Sequence, residues 1–179
     1  MIYVFLADGF EEMEAMAPID LLKRAGVDLQ TVGVGGKAVT GRSGIAVTCD
    51  ITEDEMNTTD CAGVVLPGGP GRTRLADSPV VMETLKVVSQ SNGLLAAICA
   101  APSILGQAGL LKGKKACCYP GFEDELAGAE IVFAPVVTDG NVITSRGAGT
   151  ATEFALSCVS YLVSPEMATM IAEQIVYGR

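Results

Sequence analysis

No histidine occurs anywhere in this 179-residue chain. That removes the commonest general base, the commonest zinc ligand and the side chain that titrates near physiological pH. A Cys/His dyad cannot be built, and self-association does not help, because every copy lacks the residue. Positive charge is also scarce: 12 Lys and Arg stand against 21 Asp and Glu, for a formal net charge of −9. Such a chain repels a nucleic-acid backbone or an anionic membrane surface, so neither is an expected partner, and small neutral or polar molecules fit better. No apolar run approaches the roughly 20 residues that span a bilayer. The apolar start 2–7 has no basic residue before it and runs straight into Asp8, Glu11, Glu12 and Glu14. This is unlike a secretory signal, and a cytoplasmic location is expected. C-x-x-C spacing is missing too. The six cysteines (Cys49, Cys61, Cys99, Cys117, Cys118 and Cys158) lie mostly inside apolar stretches, so reduced thiols are expected, without disulfides, a metal site or a cofactor.

Against these absences, 49% of the residues are hydrophobic, enough for one large core, and a single domain over 1–179 is expected. Short apolar or β-branched runs at 2–7, 27–34, 63–67, 94–98, 115–119 and 141–145 read as strands, with shorter ones at 45–49 and 130–134. Helix patterns fill 10–25, 79–90, 100–108, 150–163 and 165–177. Ser78-Pro79 and Ser164-Pro165 have the form of an N-cap followed by an N1 proline, and Gly26 and Gly109 can close helices. The polar stretch 52–60 is a surface turn or a short helix. Alternating strands and helices predict an α/β fold with a mostly parallel, helix-covered sheet, and the unbroken apolar strands suit burial on both faces.

Three places carry candidate chemistry. The run Gly93-Leu-Leu-Ala-Ala-Ile98 leads into Cys99-Ala-Ala-Pro-Ser103, so a buried strand ends where a helix begins and Cys99 occupies the elbow. Free amides at a helix mouth favour a thiolate. A fall of about two units from the ordinary value near 8.5 makes a cysteine mostly ionised at neutral pH. The alternative is a small buried hydrophobe, and the pattern alone leaves both open. Second, Ala7-Asp-Gly-Phe-Glu-Glu-Met-Glu14 turns a strand into a helix. On a 3.6-residue period Glu14 shares a face with Phe10, Ala17 and Leu21, pointing to the core, while Glu12 is aligned with Met16, Ile19 and Lys23, pointing out. A buried Glu14 beside a thiolate would keep its proton and donate a hydrogen bond to the sulfur, although acids in a first turn also simply complement the helix dipole. Third, Val64-Val-Leu-Pro-Gly-Gly-Pro-Gly71 breaks a strand into a glycine-rich loop. The Gly69 amide, with that of Ala100, makes a candidate oxyanion site, whereas no phosphate-binding glycine motif is present. Gly68 lies in the same loop. Arg146, in Ser145-Arg-Gly-Ala-Gly-Thr150, can hold a carboxylate of a ligand or of the protein itself, and a structural ion pair is the expected role; Thr150 is a candidate N-cap.

Taken together, Ala7-Asp-Gly-Phe-Glu-Glu-Met-Glu, Val65-Leu-Pro-Gly-Gly, Ala97-Ile-Cys-Ala-Ala-Pro and Ile143-Thr-Ser-Arg-Gly-Ala-Gly-Thr resemble the ThiJ/PfpI superfamily, most closely its DJ-one (Parkinson-disease protein deglycase) branch. The four motifs fall in order from the first strand to the helix at Thr150. The resemblance implies a flavodoxin-like three-layer sandwich and a homodimer. It carries an oxidation-sensitive nucleophile onto Cys99, a protonated glutamate onto Glu14 and oxyanion amides onto Gly69 and Ala100, with Gly68, Tyr119 and Arg146 completing the substrate-binding set. Better-studied relatives place a histidine beside the cysteine where this chain has Tyr119. The arginine that some relatives bring from the dimer partner corresponds to Arg42 or Arg24.

The implied function is a cofactor-independent glyoxalase or deglycase acting on small aldehydes or dicarbonyls through Cys99. A redox-responsive protective or chaperone-like protein is the alternative. A PfpI-type peptidase or amidase ranks last, because tyrosine is a poor base at neutral pH.

Overall fold

The computed structural model describes residues 1–178. Eleven strands and six helices follow one another in a βαβ rhythm. The strands are β1 (Ile2–Ala7), β2 (Leu29–Val34), β3 (Ala38–Thr40), β4 (Ala46–Thr48), β5 (Ile51–Thr52), β6 (Gly63–Leu66), β7 (Leu94–Ile98), β8 (Lys115–Ala116), β9 (Glu130–Ile131), β10 (Val136–Asp139) and β11 (Val142–Ser145). The helices are α1 (Glu12–Arg24), α2 (Arg72–Asp77), α3 (Pro79–Gln90), α4 (Pro102–Gln107), α5 (Ala151–Leu162) and α6 (Pro165–Gln174).

Seven strands form one sheet in the order β10-β11-β7-β6-β1-β2-β5. All its pairings are parallel except β10 with β11, which closes one edge as an antiparallel hairpin. Alternation along β1 shows how the layers are built. Ile2, Val4 and Leu6 face a core shared with α1, α5 and α6, whereas Tyr3, Phe5 and Ala7 face a second core with residues of α2, α3 and α4. Both faces are covered, which is why all six residues of β1 are buried and the strand shows no polar alternation. The result is the flavodoxin-like three-layer sandwich. Ser78 and Ser164 cap α3 and α6 by accepting the Val81 and Met167 amides, and Gly26 and Gly109 follow α1 and α4 with φ of 75° and 74°.

Several elements differ from the sequence reading. The strand expected over 115–119 is only Lys115–Ala116, because Tyr119 turns back to bond the Cys99 carbonyl. The edge strand β10 and the short helix α2 were not expected. The stretch 52–60 holds two 3-10 turns, Glu53–Glu55 and Thr58–Asp60. Thr150 precedes α5 but does not cap it with its side chain; its hydroxyl donates to the Gly147 carbonyl and meets Ser145 Oγ at 2.6 Å. Among the described residues no helix is long and apolar enough to cross a membrane.

Candidate active site

In an open parallel sheet, the crevice beyond the carboxyl ends of the strands is where side chains from several loops converge. Here β1, β6, β7 and β11 deliver Glu14, Gly68-Gly69, Cys99 and Arg146-Gly147 to that edge. They surround a cavity of about 760 Å³, which Glu14, Gly69, Cys99, Ala100, Tyr119 and Arg146 help to line.

Cys99 leaves β7 in the left-handed region, with φ of 64°. A non-glycine residue there is strained by roughly 1–3 kcal/mol and persists only where its surroundings over-determine it. They do so on both sides of the elbow. Cys99 N–H donates to the Ser145 carbonyl at 2.9 Å, the Cys99 carbonyl accepts from Tyr119 N–H at 2.7 Å, and Ala101 N–H donates to the Ile98 carbonyl at 3.0 Å. The Ala100 carbonyl accepts from Ser103 Oγ at 2.7 Å.

These bonds aim the two amides expected to form an oxyanion site. The peptide bonds are trans, so each N–H points opposite to the carbonyl of the preceding residue. Tyr119 holds the Cys99 carbonyl on one side, which turns Ala100 N–H toward the sulfur. Glu11 N–H holds the Gly68 carbonyl at 3.0 Å, which does the same for Gly69 N–H. Both amides favour negative charge on the Cys99 sulfur. Gly69 itself requires glycine, since φ is +85° and a Cβ would come within 2.8 Å of Glu11 N.

Glu14 is 1% exposed and faces the core, as its helical position implies. The carboxyl is placed by two neighbours: Glu11, the N-cap of α1, accepts Glu14 N–H at 2.8 Å, and Glu14 Oε2 accepts Gly68 N–H at 2.8 Å. Gly68 separates the thiol from the acid. A methyl on it would lie 2.7 Å from Cys99 Cβ and 2.8 Å from Glu14 Oε2, so only glycine lets the two groups meet.

Burial pushes the Glu14 carboxyl up to about 7, although the Gly68 amide opposes this by favouring the carboxylate. The Cys99 thiol moves opposite to the sequence expectation. Burial first, and the Glu14 charge second, push it up to about 12, and the Ala100 and Gly69 amides recover only part of that shift. The helix mouth favours a thiolate as expected, but removal from water and a facing carboxylate outweigh it. As pH rises through about 7 the pair therefore gives up one proton and keeps the other between sulfur and oxygen.

Four further expectations meet the structure. Glu12 is buried, because the β3–β4 hairpin folds over it: Oε1 accepts Ser43 N–H at 2.7 Å, Gly41 packs on its carboxyl, and Oε2 has no partner among the described residues. Arg146 forms no ion pair among the described residues; its guanidinium lies 5.9 Å from the Phe133 ring centre. Arg42 lines the cavity, whereas Arg24 does not and is bound to Asp20 at 2.9 Å. Tyr119 lines the cavity and is half exposed, with its ring edge-on to Phe122. Sequence reasoning missed Arg72 and Phe122, which also line the cavity, and did not assign the capping Glu11 to it. The only available signal was the position of Arg72 directly after the glycine loop. Among the described residues, no group of three or more Cys, Asp or Glu is placed to hold a metal ion.

Known proteins share this arrangement of sequence and fold. The zebrafish (Danio rerio) Parkinson disease protein 7 homolog is 39% identical over 179 residues, covering 97% of this chain and 95% of its own. The glutathione-independent glyoxalase DJR-1.2 of Caenorhabditis elegans is 35% identical over 158 residues, covering 87% of this chain and 84% of its own. The crystal structure of Drosophila melanogaster DJ-1beta matches with a TM-score of 0.94 at 36% identity, covering 99% of this chain and 98% of that one. The family model described as DJ-1/PfpI matches residues 1–161, and the chain belongs to the DJ-1/PfpI family.

Proposed function

We propose that the protein is a cofactor-independent glyoxalase, with deglycation of dicarbonyl adducts as the same chemistry on a larger substrate. The observation that carries this is the thiol and carboxyl of Cys99 and Glu14 flanking Gly68, with two backbone amides converging on the sulfur. A relative of 35% identity that is named a glutathione-independent glyoxalase supports it.

The pair assigns the roles. A carboxyl held near 7 is matched to proton transfer at neutral pH, so Glu14 takes the thiol proton as the sulfur attacks the aldehyde carbon. The new alkoxide is held by the Gly69 and Ala100 amides and then protonated by Glu14, giving a hemithioacetal. Glu14, again a carboxylate, carries the proton from that carbon to the neighbouring carbonyl carbon, while the hydroxyl proton of the hemithioacetal passes to the neighbouring oxygen and leaves a carbonyl behind. The product is a 2-hydroxy thioester, and water cleaves it to the 2-hydroxy acid and free Cys99. Methylglyoxal plus water thus becomes lactate, with no net oxidation and no redox partner. Purified protein should make lactate from methylglyoxal. Cys99→Ser and Glu14→Gln should each lower turnover by at least about a hundredfold, and unreduced turnover in either variant removes the mechanism. A homodimer belongs to the same proposal and is tested by sedimentation velocity.

A second reading, redox sensing, is favoured by one observation: Cys99 is partly exposed while the other five thiols are buried. Mild peroxide should then add oxygen to Cys99 first. Mass spectrometry showing oxygen spread evenly over the six cysteines would remove the reading.

A further inference from the structure

Arg72 is the first residue of α2 and follows the Gly69-Pro70-Gly71 loop directly. Its guanidinium meets two further segments that adjoin the cavity wall. Nη1 donates to Ser103 Oγ at 3.0 Å and to Glu125 Oε2 at 3.2 Å, and Nη2 donates to Glu125 Oε1 at 3.4 Å. The guanidinium carbon sits 4.6 Å above the Phe122 ring centre. One side chain therefore joins the loop that carries the Gly69 amide, the start of α4 and the 119–125 loop.

Both distant contacts lead back to the elbow. Ser103, 4% exposed, accepts from Arg72 and donates to the Ala100 carbonyl at 2.7 Å. The 119–125 loop begins with Tyr119, whose N–H fixes the Cys99 carbonyl at 2.7 Å and so aims Ala100 N–H. Only a planar fork serves this geometry, since it donates in two directions within its plane while an aromatic ring covers its face. We propose that Arg72 is the positioning residue of the site: by tying the 119–125 loop to α4 it fixes the peptide planes on either side of Ala100, and so the reactivity of Cys99. The inference deepens the proposed function, but its test does not depend on turnover.

The test is the alkylation rate of Cys99 by iodoacetamide at 25 °C, measured with melting temperature in wild type, Arg72→Lys, Arg72→Met and Glu125→Gln. Small misplacements at a reactive centre cost roughly ten- to a hundredfold, and we expect slowing in that range for both Arg72 variants. Lysine keeps the charge but not the fork, so it should fail to rescue. Glu125 is on the surface, and its glutamine variant, which cannot threaten the fold, should slow alkylation severalfold. Wild-type rates in Glu125→Gln and Arg72→Met overturn the proposal. Wild-type rates in Arg72→Lys overturn it too, because charge alone then suffices. A role confined to stability would lower the melting temperature and leave the 25 °C rate unchanged. If the protein makes no lactate from methylglyoxal, the glyoxalase reading falls while this comparison still decides the role of Arg72.

Discussion

Tyr119 N–H donates to the Cys99 carbonyl at 2.7 Å, and through the trans peptide bond this contact turns the next amide, that of Ala100, toward the sulfur. Tyr119 thus contributes through its backbone, which any non-proline side chain preserves.

The Tyr119 side chain should accordingly be dispensable for the chemical step. Its hydroxyl has no hydrogen-bond partner among the described residues, so Tyr119→Phe should keep kcat within about twofold, while Tyr119→Ala, which widens the cavity wall, should raise KM severalfold with kcat held within about threefold. Steady-state kinetics on methylglyoxal check this. A tenfold fall of kcat in Tyr119→Phe would mean that the phenol transfers a proton.

Alkylation of Cys99 should follow a two-step pH profile. As pH rises through about 7 the pair loses its first proton and a fixed fraction of the charge rests on sulfur, so the rate rises and levels off. Far above, as the second proton leaves toward about 12, the rate should climb again. Glu14→Gln removes the first step and leaves one titration. A single identical step in both proteins would show that the two groups titrate independently.

These groups were only partly legible in the sequence. Cys99 at the end of a buried strand, and Glu14 on the inner face of α1, follow from local pattern because both depend on residues within one or two turns. Burial of Glu12 does not, since it comes from the β3–β4 hairpin, about thirty residues on in sequence, closing over it. The sulfur's charge was misjudged for a related reason: local pattern shows the helix mouth but not the carboxylate brought to it from α1. Arg72 was passed over because α2 is six residues long and its partners, Ser103, Phe122 and Glu125, are scattered through later segments. The hairpin of β10 and β11 turns at Gly140, with φ of 62°. Its Asp139-Gly140-Asn141 signal was present and went unread.

Gly68→Ala should separate folding from reactivity. Gly68 does not require a positive φ, so the backbone tolerates alanine, but the new methyl lands 2.7 Å from Cys99 Cβ and 2.8 Å from Glu14 Oε2. Overpacking of this kind costs about 1–3 kcal/mol, within reach of a stable domain. The Cys99 to Glu14 pair should open, with turnover and the first alkylation step both lost. A folded Gly68→Ala protein with normal turnover would show that the contact across Gly68 is not what drives the reaction.

Glu14 also makes stability depend on pH in a direction that is worked out from its raised value. In the unfolded chain its carboxyl titrates near 4.5, and in the fold near 7. A group whose folded value is raised contributes stability that is fully present below the unfolded value and is lost as pH rises through the folded one. Other carboxylates titrate over part of the same range, so the informative quantity is the difference between wild type and Glu14→Gln. Glutamine keeps the shape and can still accept Gly68 N–H, but it never ionises. At pH 4 the two proteins should be close in stability, both carrying a neutral side chain. Between about 4.5 and 7 wild type should fall behind, and above pH 7 the gap should level at about 3 kcal/mol, the size of the shift converted to free energy. Urea unfolding at pH 4, 6 and 8 measures the gap directly. If Glu14→Gln proves less stable than wild type at pH 8, the Gly68 amide holds the carboxylate more tightly than burial expels it, and Glu14 cannot serve as the proton carrier at neutral pH.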